Sequence, residues 1–511
     1  MKGLDRQSQN GCLRRRPFSG MLACIASATL NGTVGHPVSV EVHVSKGLPG
    51  FAIVGLPDAS VREARDRVRA AILSSGLSWP LKRVTINLAP SAVRKAGAGL
   101  DLPIAVGLLV AMNELDGRCT EGLSFCGELG LNGSLRHVPG MIALADAATT
   151  PGLVVPLCDV HEAALVRGGD ARGVGTLAEL VRVLRGHAEW PAPSARPAPV
   201  EASGGVPDLS DVRGQRLGRR ALEVAAAGSH HLLMVGPPGS GKTMLAERLP
   251  GLLPPLALQE ALTATRIHSA AGTLPEGALI ERPPFRAPHH QSSVVSLVGG
   301  GSGSLRPGEA SLATHGVLFL DELGEFAVTA LEALRQPLEE GVIRVSRASG
   351  TVTFPAEFLL VAAMNPCPCG EGVYVGSCRC TLAARARYRR RISAPLLDRF
   401  DLVVPLRRPP PHDLLYGLPG DPSALVAERV AQARTRAAAR RSAGEGEIRL
   451  STEAASALEE KLRSGELSAR GLRKVTGVAR TLADLSDTAD VSYWNVCEAL
   501  MLRAGRRIVT Q

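Results

Sequence analysis

Two patterns of apolar side chains along the chain predict β-strands. Residues 38–44 alternate apolar and polar side chains with a period of two, which is typical of a strand with one exposed face. Residues 231–235, 317–320 and 359–364 are apolar runs with almost no polar face, as in strands buried between two layers of helices. Asp58 is the predicted N-cap of an amphipathic helix that follows the first strands. The alternation of strand-like and helix-like segments predicts an α/β fold.

The length of the chain and changes in its composition predict several domains. A chain of 511 residues is too long for one hydrophobic core. We predict a disordered basic extension over residues 1–20, an α/β domain over 21–186 and a linker rich in Pro and Ala over 187–207. A second α/β domain over 208–407 and a basic helical domain over 408–511 complete the prediction.

The composition is that of a globular protein with a basic surface. Hydrophobic residues make up 45% of the chain and charged residues 21%, which excludes a disordered protein. The formal net charge of +10 favours a polyanionic partner, although a solvated basic surface explains it equally well. Aromatic residues are only 3%, so platforms for stacking bases are not indicated. No apolar run reaches the length of a membrane span, and we expect a cytoplasmic protein without a membrane partner.

The arginines near the N-terminus have two interpretations. Arg14, Arg15 and Arg16 precede a short apolar stretch, as in a twin-arginine export signal. However, that stretch continues directly into a sequence that predicts a strand. We therefore interpret residues 1–20 as a basic extension, with the fold beginning near Met21.

The residues that follow the apolar run at 231–235 predict a nucleotide site. They fit the pattern G-x-x-x-x-G-K-[ST], and a helix-like segment comes after them. The residues of this phosphate loop are Gly236, Pro237, Pro238, Gly239, Ser240, Gly241, Lys242 and Thr243. We expect Lys242 to reach the β- and γ-phosphates of ATP and Thr243 to bind Mg²⁺. The alternative is a tight turn with a surface lysine.

Two carboxylates follow the apolar run at 317–320. Asp321 and Glu322 come at the carboxyl end of a predicted parallel strand, where α/β sheets bind their ligands. We expect Asp321 to support the Mg²⁺ that Thr243 contacts and Glu322 to polarise the attacking water. An acidic pair after a strand is common by itself, but the phosphate loop upstream favours the catalytic interpretation.

Four of the ten cysteines lie close together in the second α/β domain. Cys367, Cys369, Cys378 and Cys380 have the spacing C-x-C-x₈-C-x-C. Two such pairs can form a tetrahedral site for structural Zn²⁺. The one-residue gaps are tighter than is usual in zinc sites, so loop packing and redox-labile thiols are the alternatives. The other six cysteines are scattered, which excludes the disulfide framework of a small secreted protein.

Several segments resemble one protein family. Residues 51–58 and 95–105 are similar to the N-terminal domain of the YifB/ComM family of magnesium-chelatase-like AAA+ ATPases. The resemblance implies a Lon-protease-like (S5-like) α/β domain, followed by an AAA+ core and a helical lid. Lon-type proteolysis needs a serine nucleophile and a lysine base, and residues 97–99 and 138–143 contain neither. The first domain is therefore expected to be a scaffold without protease activity.

The nearest substitutes for those two catalytic residues are close together in the sequence. Ser91 and Lys95 are four residues apart. We interpret Ser91 as a loop serine and Lys95 as a surface charge, so that covalent catalysis is not expected.

The resemblance also implies roles for residues around the nucleotide. Residues 211–215 are similar to the D-x-x-G-Q segment that lies near the adenine in AAA+ proteins. Asn365 is in the position of sensor 1, whose amide orients the water near the γ-phosphate. Arg399 is in the position of the arginine finger, which acts on the nucleotide of a neighbouring subunit. An ion pair of Arg399 with Asp398 or Asp401 is the alternative.

Two further features of the family concern the lid and the central pore. Arg470 is in the position of sensor 2, from which it would contact the phosphates, and Arg473 is the less favoured choice. Residues 341–354 predict a β-hairpin, with Arg344 and Arg347 towards its turn. In the AAA+ branch that contains magnesium chelatases, a hairpin at this place projects into the pore. Contacts with DNA phosphates and an ordinary exposed hairpin are both open interpretations.

A pair of histidines precedes a glycine-rich segment of the second domain. His289 and His290 are adjacent, and adjacent side chains on a strand point to opposite faces. This disfavours a metal site made by the pair. We interpret the histidines as structural residues or as part of a loop that switches conformation.

As a set, these motifs imply a ring of ATPase subunits. The expected assembly is a homo-hexamer, because an arginine finger completes the site of a neighbour. In the family, the implied activity is ATP-driven translocation on DNA, with branch migration in recombination or natural transformation as the example. The alternatives are a motor for metal insertion like the magnesium chelatase subunit, and an ATP-dependent protease or remodelling ATPase.

Overall fold

The computed structural model describes residues 21–192, 206–274, 278–301, 305–347, 350–371, 378–444 and 448–510. These residues form two compact units, one before and one after the middle of the predicted linker. The predicted extension at 1–20 and most of the predicted linker lie outside the described residues. Within the described ranges, no helix is long and apolar enough to cross a membrane.

The first unit is a mixed sheet with helices. Its strands are β1 (Leu22–Asn31), β2 (Val34–Ser45), β3 (Gly50–Val54), β4 (Arg83–Ala89), β5 (Leu123–Phe125), β6 (Glu128–Leu129), β7 (Leu135–Arg136), β8 (Gly152–Pro156) and β9 (Ala171–Val174). Its α-helices are α1 (Ala59–Ser74), α2 (Asp101–Ala111), α3 (Met141–Ala147), α4 (Val160–Arg167) and α5 (Leu177–Leu184). The main sheet has the order β3-β4-β2-β1-β5-β8-β9, and β6 pairs with β7 alone.

Local sequence patterns predict parts of the first unit correctly. In β2, Val38, Val40, Val42 and Val44 are all buried, which confirms the alternation with a period of two. Asp58 caps α1, because its carboxylate accepts a hydrogen bond of 2.9 Å from the backbone N–H of Val61. The predicted strand and the predicted N-cap are therefore confirmed.

The interpretation of Lys95 as a surface charge is wrong. Lys95 has no exposed surface, and its ammonium group donates a hydrogen bond to the carbonyl of Pro90. The reason is backbone pairing: the N–H of Lys95 donates to Leu56, and its carbonyl accepts from Asp58 at 2.9 Å. This pairing directs the side chain inwards, and burial lowers the pKa of Lys95. Ser91 is exposed, as expected for a loop serine.

The second unit contains a parallel sheet and most of the helices. Its strands are β10 (Leu232–Val235), β11 (Phe285–Arg286), β12 (Val317–Leu320), β13 (Val342–Arg347), β14 (Gly350–Pro355), β15 (Leu359–Met364) and β16 (Leu402–Pro405). Its α-helices up to β16 are α6 (Arg216–Gly228), α7 (Lys242–Ala246), α8 (Leu258–Ala271), α9 (Val294–Val298), α10 (Glu309–Leu312), α11 (Val328–Ala333), α12 (Arg335–Glu340), α13 (Leu382–Arg389) and α14 (Ala394–Leu397). The helices after β16 are α15 (Pro411–Tyr416), α16 (Ser423–Ser442), α17 (Thr452–Arg463), α18 (Ala469–Leu485), α19 (Tyr493–Met501) and α20 (Arg506–Thr510).

The parallel sheet has the order β11-β12-β15-β10-β16. Every residue of β10, β12 and β15 is buried, which confirms that the three apolar runs are internal strands. Because parallel strands end at the same edge of a sheet, the segments that follow these three strands lie side by side.

The predicted β-hairpin is confirmed as β13 and β14. Its antiparallel register runs from Val342 opposite Pro355 to Arg347 opposite Gly350. Arg344 forms an ion pair with Glu340, the last residue of α12. The side chain of Arg347 lies outside the described part of the chain.

The C-terminal helices pack on the sheet through one hydrophobic core. Buried apolar residues of α16, α18 and α19 belong to the same cluster as those of α6, β10 and β16. The predicted boundary between residues 407 and 408 therefore lies inside one compact unit.

Candidate active site

The predicted phosphate loop connects β10 to α7. Gly239 and Gly241 have φ values of +76° and +81°, a left-handed conformation that residues with a Cβ rarely adopt. The loop borders a cavity of about 380 Å³. This cavity is lined by Pro238, Gly239, Ser240, Gly241, Lys242, Thr243, Met244, Asp321, Glu322, Met364 and Asn365. The structure thus brings together the loop, the acidic pair and Asn365, which are far apart in the sequence.

All three N–H donors of the Lys242 ammonium group have acceptors. They donate to the carbonyl of Gly236 at 2.8 Å, to the carbonyl of Pro237 at 3.0 Å and to Oδ1 of Asn365 at 3.3 Å. Burial lowers the pKa of Lys242, while the nearby carboxylates of Asp321 and Glu322 oppose this effect. The lysine is therefore held in the lining of the cavity, next to Asn365.

Thr243 and Asp321 provide adjacent oxygen atoms in the same cavity. The hydroxyl of Thr243 donates to Oδ2 of Asp321 at 2.6 Å. Oδ1 of Asp321 accepts from the backbone N–H of Glu322 at 2.8 Å, which fixes the carboxylate. A hydroxyl and a carboxylate are the kind of oxygen ligands that Mg²⁺ prefers, so this pair fits that ion.

The loop also contains a polar atom that fits an anionic ligand. Ser240 is fully buried, and its hydroxyl has no hydrogen-bond partner among the described residues. Buried polar atoms without partners are rare in proteins.

The side-chain amide of Gln215, in the predicted adenine segment, donates to the carbonyl of Ser240 at 2.8 Å and to that of Arg407. The segment at 211–215 is thereby attached to the phosphate loop.

Glu322 forms a contact that the sequence did not predict. It has a φ of +50°, and its carboxylate lies 3.1 Å from Nδ1 of His290. The rings of His289 and His290 are only 4.1 Å apart, so the expectation that they point to opposite faces is wrong. The physical reason is that β11 ends at Arg286, and the histidines lie in the loop after it.

Arg399 and Arg470 lie outside the set of residues that line the cavity. Arg399 forms an ion pair with Glu339 on α12 and is 35% exposed. The alternative pairing with Asp398 or Asp401 is therefore wrong. Asp401 instead accepts hydrogen bonds from Lys474 and from the backbone N–H of His231.

Arg470, on α18, lies near Asp398, the residue that precedes Arg399 in the sequence. Arg470 is 83% exposed, and its guanidinium lies 3.7 Å from the carboxylate of Asp398. Asp398 is also paired with Arg506. A long ion pair at an exposed site contributes little to stability, so Arg470 is free to change partners at small cost.

The sulfur atoms of the four clustered cysteines lie close together. The Sγ atoms of Cys367 and Cys369 are 3.3 Å apart, and Cys378 lies 3.5 and 3.6 Å from them. With Cys380 included, all four sulfur atoms lie within 4.8 Å of one another. Zn–S bonds of about 2.3 Å in a tetrahedron place sulfur atoms about 3.8 Å apart. The cluster therefore fits Zn²⁺.

The loop of the first cysteine pair lies against the phosphate loop. Gly370 approaches Pro238 so closely that a Cβ at position 370 would be 2.5 Å from the ring of Pro238. Arg408 adds a second link, since its Nε donates to the carbonyl of Pro238 and its guanidinium pairs with Glu371. Loop-to-loop contacts of this kind have no periodic sequence signal, which is why the sequence did not predict them.

Comparison with known protein families gives matches in both units. The family described as "Magnesium chelatase, subunit ChlI" matches residues 208–432. "Subunit ChlI of Mg-chelatase" matches residues 40–158, and "Magnesium chelatase, subunit ChlI C-terminal" matches residues 420–503.

Similar chains from three bacteria extend over almost the whole protein. An uncharacterized protein of Mycobacterium tuberculosis (strain ATCC 25618 / H37Rv) is 44% identical over 500 residues, which covers 93% of this chain and 97% of the relative. "Uncharacterized protein YifB" of Escherichia coli is 43% identical, and "Competence protein ComM" of Haemophilus influenzae is 41% identical. Both matches cover 96% of this chain and 98% of the relative. The chain belongs to the YifB/ComM family of magnesium-chelatase-like AAA+ ATPases.

Membership in the YifB/ComM family confirms the resemblance found in the sequence. It also confirms the α/β class, because the observed parallel sheet fits a magnesium-chelatase-like AAA+ domain. The YifB/ComM family implies ATP and Mg²⁺ as ligands, and the residues around the 380 Å³ cavity fit both.

Proposed function

We propose that the chain hydrolyses ATP at the carboxyl edge of its parallel sheet. The observation that carries this proposal is the meeting of Lys242, Thr243, Asp321 and Asn365 around one cavity. Lys242 exchanges its contacts with loop carbonyls for phosphate oxygens, and backbone N–H groups of the loop bind the remaining phosphate oxygens. Thr243 and Asp321 hold Mg²⁺, which offsets the phosphate charge when it is bound.

In this proposal, Glu322 and Asn365 act on the attacking water. Asn365 orients the water through its amide, and Glu322 accepts a proton from it. One oxygen of the Glu322 carboxylate lies next to His290, and the other oxygen is the one proposed to accept the proton. In this proposal, His290 orients the carboxylate of Glu322.

We extend the proposal to a homo-hexameric ring. Arg399 lies outside the cavity lining of its own chain, and its guanidinium is partly exposed. An arginine finger in this position stabilises the transition-state charge on the nucleotide of a neighbouring subunit. Arg470, which is exposed on α18, is the proposed contact from the helical lid to the phosphates.

The proposed substrate of the motor is DNA, on which it translocates or drives branch migration. The name of the relative "Competence protein ComM" supports a role in the processing of incoming DNA. The net charge of +10 suits a polyanion. The family descriptions that mention magnesium chelatase favour metal insertion as the second candidate. That motor is expected to show no response to DNA.

Stimulation of the ATPase rate by DNA distinguishes these candidates. We expect single-stranded or forked DNA to raise the rate, and we expect DNA binding to weaken as salt rises, because binding releases counterions. If the hairpin contacts DNA, Arg347→Ala lowers the stimulation, whereas the matched variant Arg463→Ala on the exposed face of α17 leaves it unchanged. Absence of both stimulation and salt-sensitive binding would contradict the DNA proposal, and ATP-dependent peptide cleavage would instead favour a protease.

We also propose that the cysteine cluster binds one structural Zn²⁺. Metal analysis of protein purified without chelators is expected to give about one equivalent of zinc per chain. The double variant Cys367→Ser/Cys378→Ser removes two of the four sulfur ligands and is expected to lose the metal. Cys24→Ser, at an exposed cysteine of β1, is the control that retains it. If the double variant retains as much zinc as Cys24→Ser does, the metal is bound elsewhere. If the wild type contains no zinc, the proposal of a zinc site is wrong.

A further inference from the structure

The segment around α13 has an unusual charge. Residues 379–391 contain six arginines and no acidic residue. Of the six side chains, only that of Arg391 has a partner in the described part of the chain, because its guanidinium donates to the carbonyl of Gly324 and to Glu325. The arginines whose side chains form no hydrogen bond or ion pair with the described residues are Arg379, Arg385, Arg387, Arg389 and Arg390.

The other arginine-rich helix of the same unit shows that this is not the usual arrangement. Arg429 of α16 pairs with Glu223 and Asp421. Arg436 and Arg440, farther along the helix, pair with Asp487 and Asp484. The arginines of α16 thus attach that helix to its neighbours, as structural arginines do. The side chains of Arg385, Arg387 and Arg389 on α13 make no such attachment to the described residues.

The arginines of α13 that have no side-chain partner among the described residues repel one another. Arg385 and Arg389 are four residues apart on the helix, and Arg387 and Arg390 are three residues apart. Like charges at these spacings destabilise a helix. Arg387 and Arg390 are also exposed, together with Arg379 just before the helix. A polyanion bound here would relieve the repulsion, and guanidinium groups match the geometry of phosphate oxygens.

The opposite side of α13 contacts the candidate active site. The ring of Tyr388 is buried and lies so close to Gly324 that a Cβ at position 324 would be 2.5 Å from its Cζ atom. The hydroxyl of Tyr388 interacts with the backbone of Asn365, and the side-chain oxygen Oδ1 of the same asparagine accepts a hydrogen bond from Lys242. Arg391 holds the segment that directly follows Asp321 and Glu322. The helix is therefore connected to both flanks of the nucleotide cavity.

We propose that Arg379 and the exposed arginines of α13 bind the phosphate backbone of a nucleic acid, and that Tyr388 and Arg391 transmit this contact to Asn365 and to the segment after Glu322. The inference rests on the proposed ATPase and DNA functions and adds the surface and the route of coupling. Arginine binding to the backbone is independent of base sequence. Tyr388 is a positioning residue, because it acts through Asn365.

The surface is tested with two triple variants of equal charge. Arg379→Gln/Arg387→Gln/Arg390→Gln removes the exposed arginines near α13, and Arg62→Gln/Arg65→Gln/Arg69→Gln removes three exposed arginines of α1 in the first unit. Binding of a labelled single-stranded oligonucleotide is measured by fluorescence anisotropy over a range of salt concentrations. We expect the α13 variant to bind about 10- to 100-fold more weakly near 0.15 M salt, with the slope of log K against log salt reduced by about 2. The α1 variant is expected to bind as the wild type does.

The coupling is tested with Tyr388→Phe, which keeps the buried ring and removes the hydroxyl. We expect this variant to bind the oligonucleotide with the wild-type affinity and salt slope, but to lose most of the stimulation of ATP turnover by DNA. A merely structural role would lower the thermal unfolding midpoint and leave the ratio of stimulated to unstimulated turnover unchanged. That second result would overturn the proposed route.

The outcomes separate this inference from the function on which it rests. If the wild type neither binds DNA nor responds to it, the proposed function fails and the inference fails with it. If the wild type responds to DNA but the two triple variants behave alike, only the inference about α13 fails. Equal stimulation of the wild type by poly-glutamate would show a general response to anions and would also contradict it.

Discussion

Lys242→Ala is expected to abolish ATP turnover. The ammonium group of Lys242 is the one positive charge that lines the described cavity, where it lies between the phosphate loop and Asn365. Removing a single preorganised donor at a site of developing charge typically costs about 10²–10³ in rate, and here the charge is lost as well. We therefore expect a fall of about 10³ or more in kcat, measured by phosphate release at saturating ATP.

A control is needed because the lysine also has a structural role. Its ammonium group bridges the carbonyls of Gly236 and Pro237, so the variant loses contacts within the loop. Lys82→Ala, at an exposed position of the first unit, is the matched control and is expected to retain full activity. A Lys242→Ala protein with the unfolding midpoint of the wild type and normal turnover would remove the cavity from consideration as the catalytic site.

Arg399→Ala is expected to bind ATP normally and to stop hydrolysing it. The guanidinium of Arg399 does not line the cavity of its own chain, so ATP binding does not depend on it. An arginine finger contributes about 10³–10⁵ to the rate of phosphoryl transfer, which sets the size of the expected loss. Binding of a fluorescent ATP analogue and phosphate release measure the two effects separately.

Mixing the two inactive variants gives the sharpest test of the ring. In a mixed assembly, a Lys242→Ala subunit still supplies Arg399 to the intact cavity of an Arg399→Ala neighbour. Partial recovery of turnover is therefore expected on mixing, because each variant supplies what the other lacks. If Arg399 acts within its own chain, for example through Glu339, mixing restores nothing and the argument for a ring fails.

Local patterns in the sequence were sufficient to predict several of the strands and to predict which residues meet in part of the site. The alternation in β2, the apolar runs of β10, β12 and β15, and the N-cap at Asp58 each depend on neighbouring residues, and each is confirmed. The meeting of Thr243 with Asp321 follows from the rule that parallel strands end at one edge of a sheet. The catalytic roles of these residues remain predictions.

The contacts that the sequence did not reveal join segments without a shared pattern. His290 reaches Glu322 because β11 is short and the chain then forms a loop. Lys95 is buried because its backbone pairs with a distant turn, and Arg399 pairs with Glu339 on α12, whereas Asp401 accepts from Lys474. Each result depends on contacts between segments that are distant in the sequence. Periodicity and motif spacing carry no information about such contacts.

The order of the parallel sheet has a mechanical consequence. The crossover that contains the cysteine cluster and α13 leaves the sheet at β15 and returns at β16, and β10 lies between these two strands. The two ends of this crossover therefore lie on either side of β10, the strand that precedes the phosphate loop. We expect a displacement of α13 or of the cysteine cluster to act on both neighbours of β10 rather than on one hydrogen-bonded pair of strands.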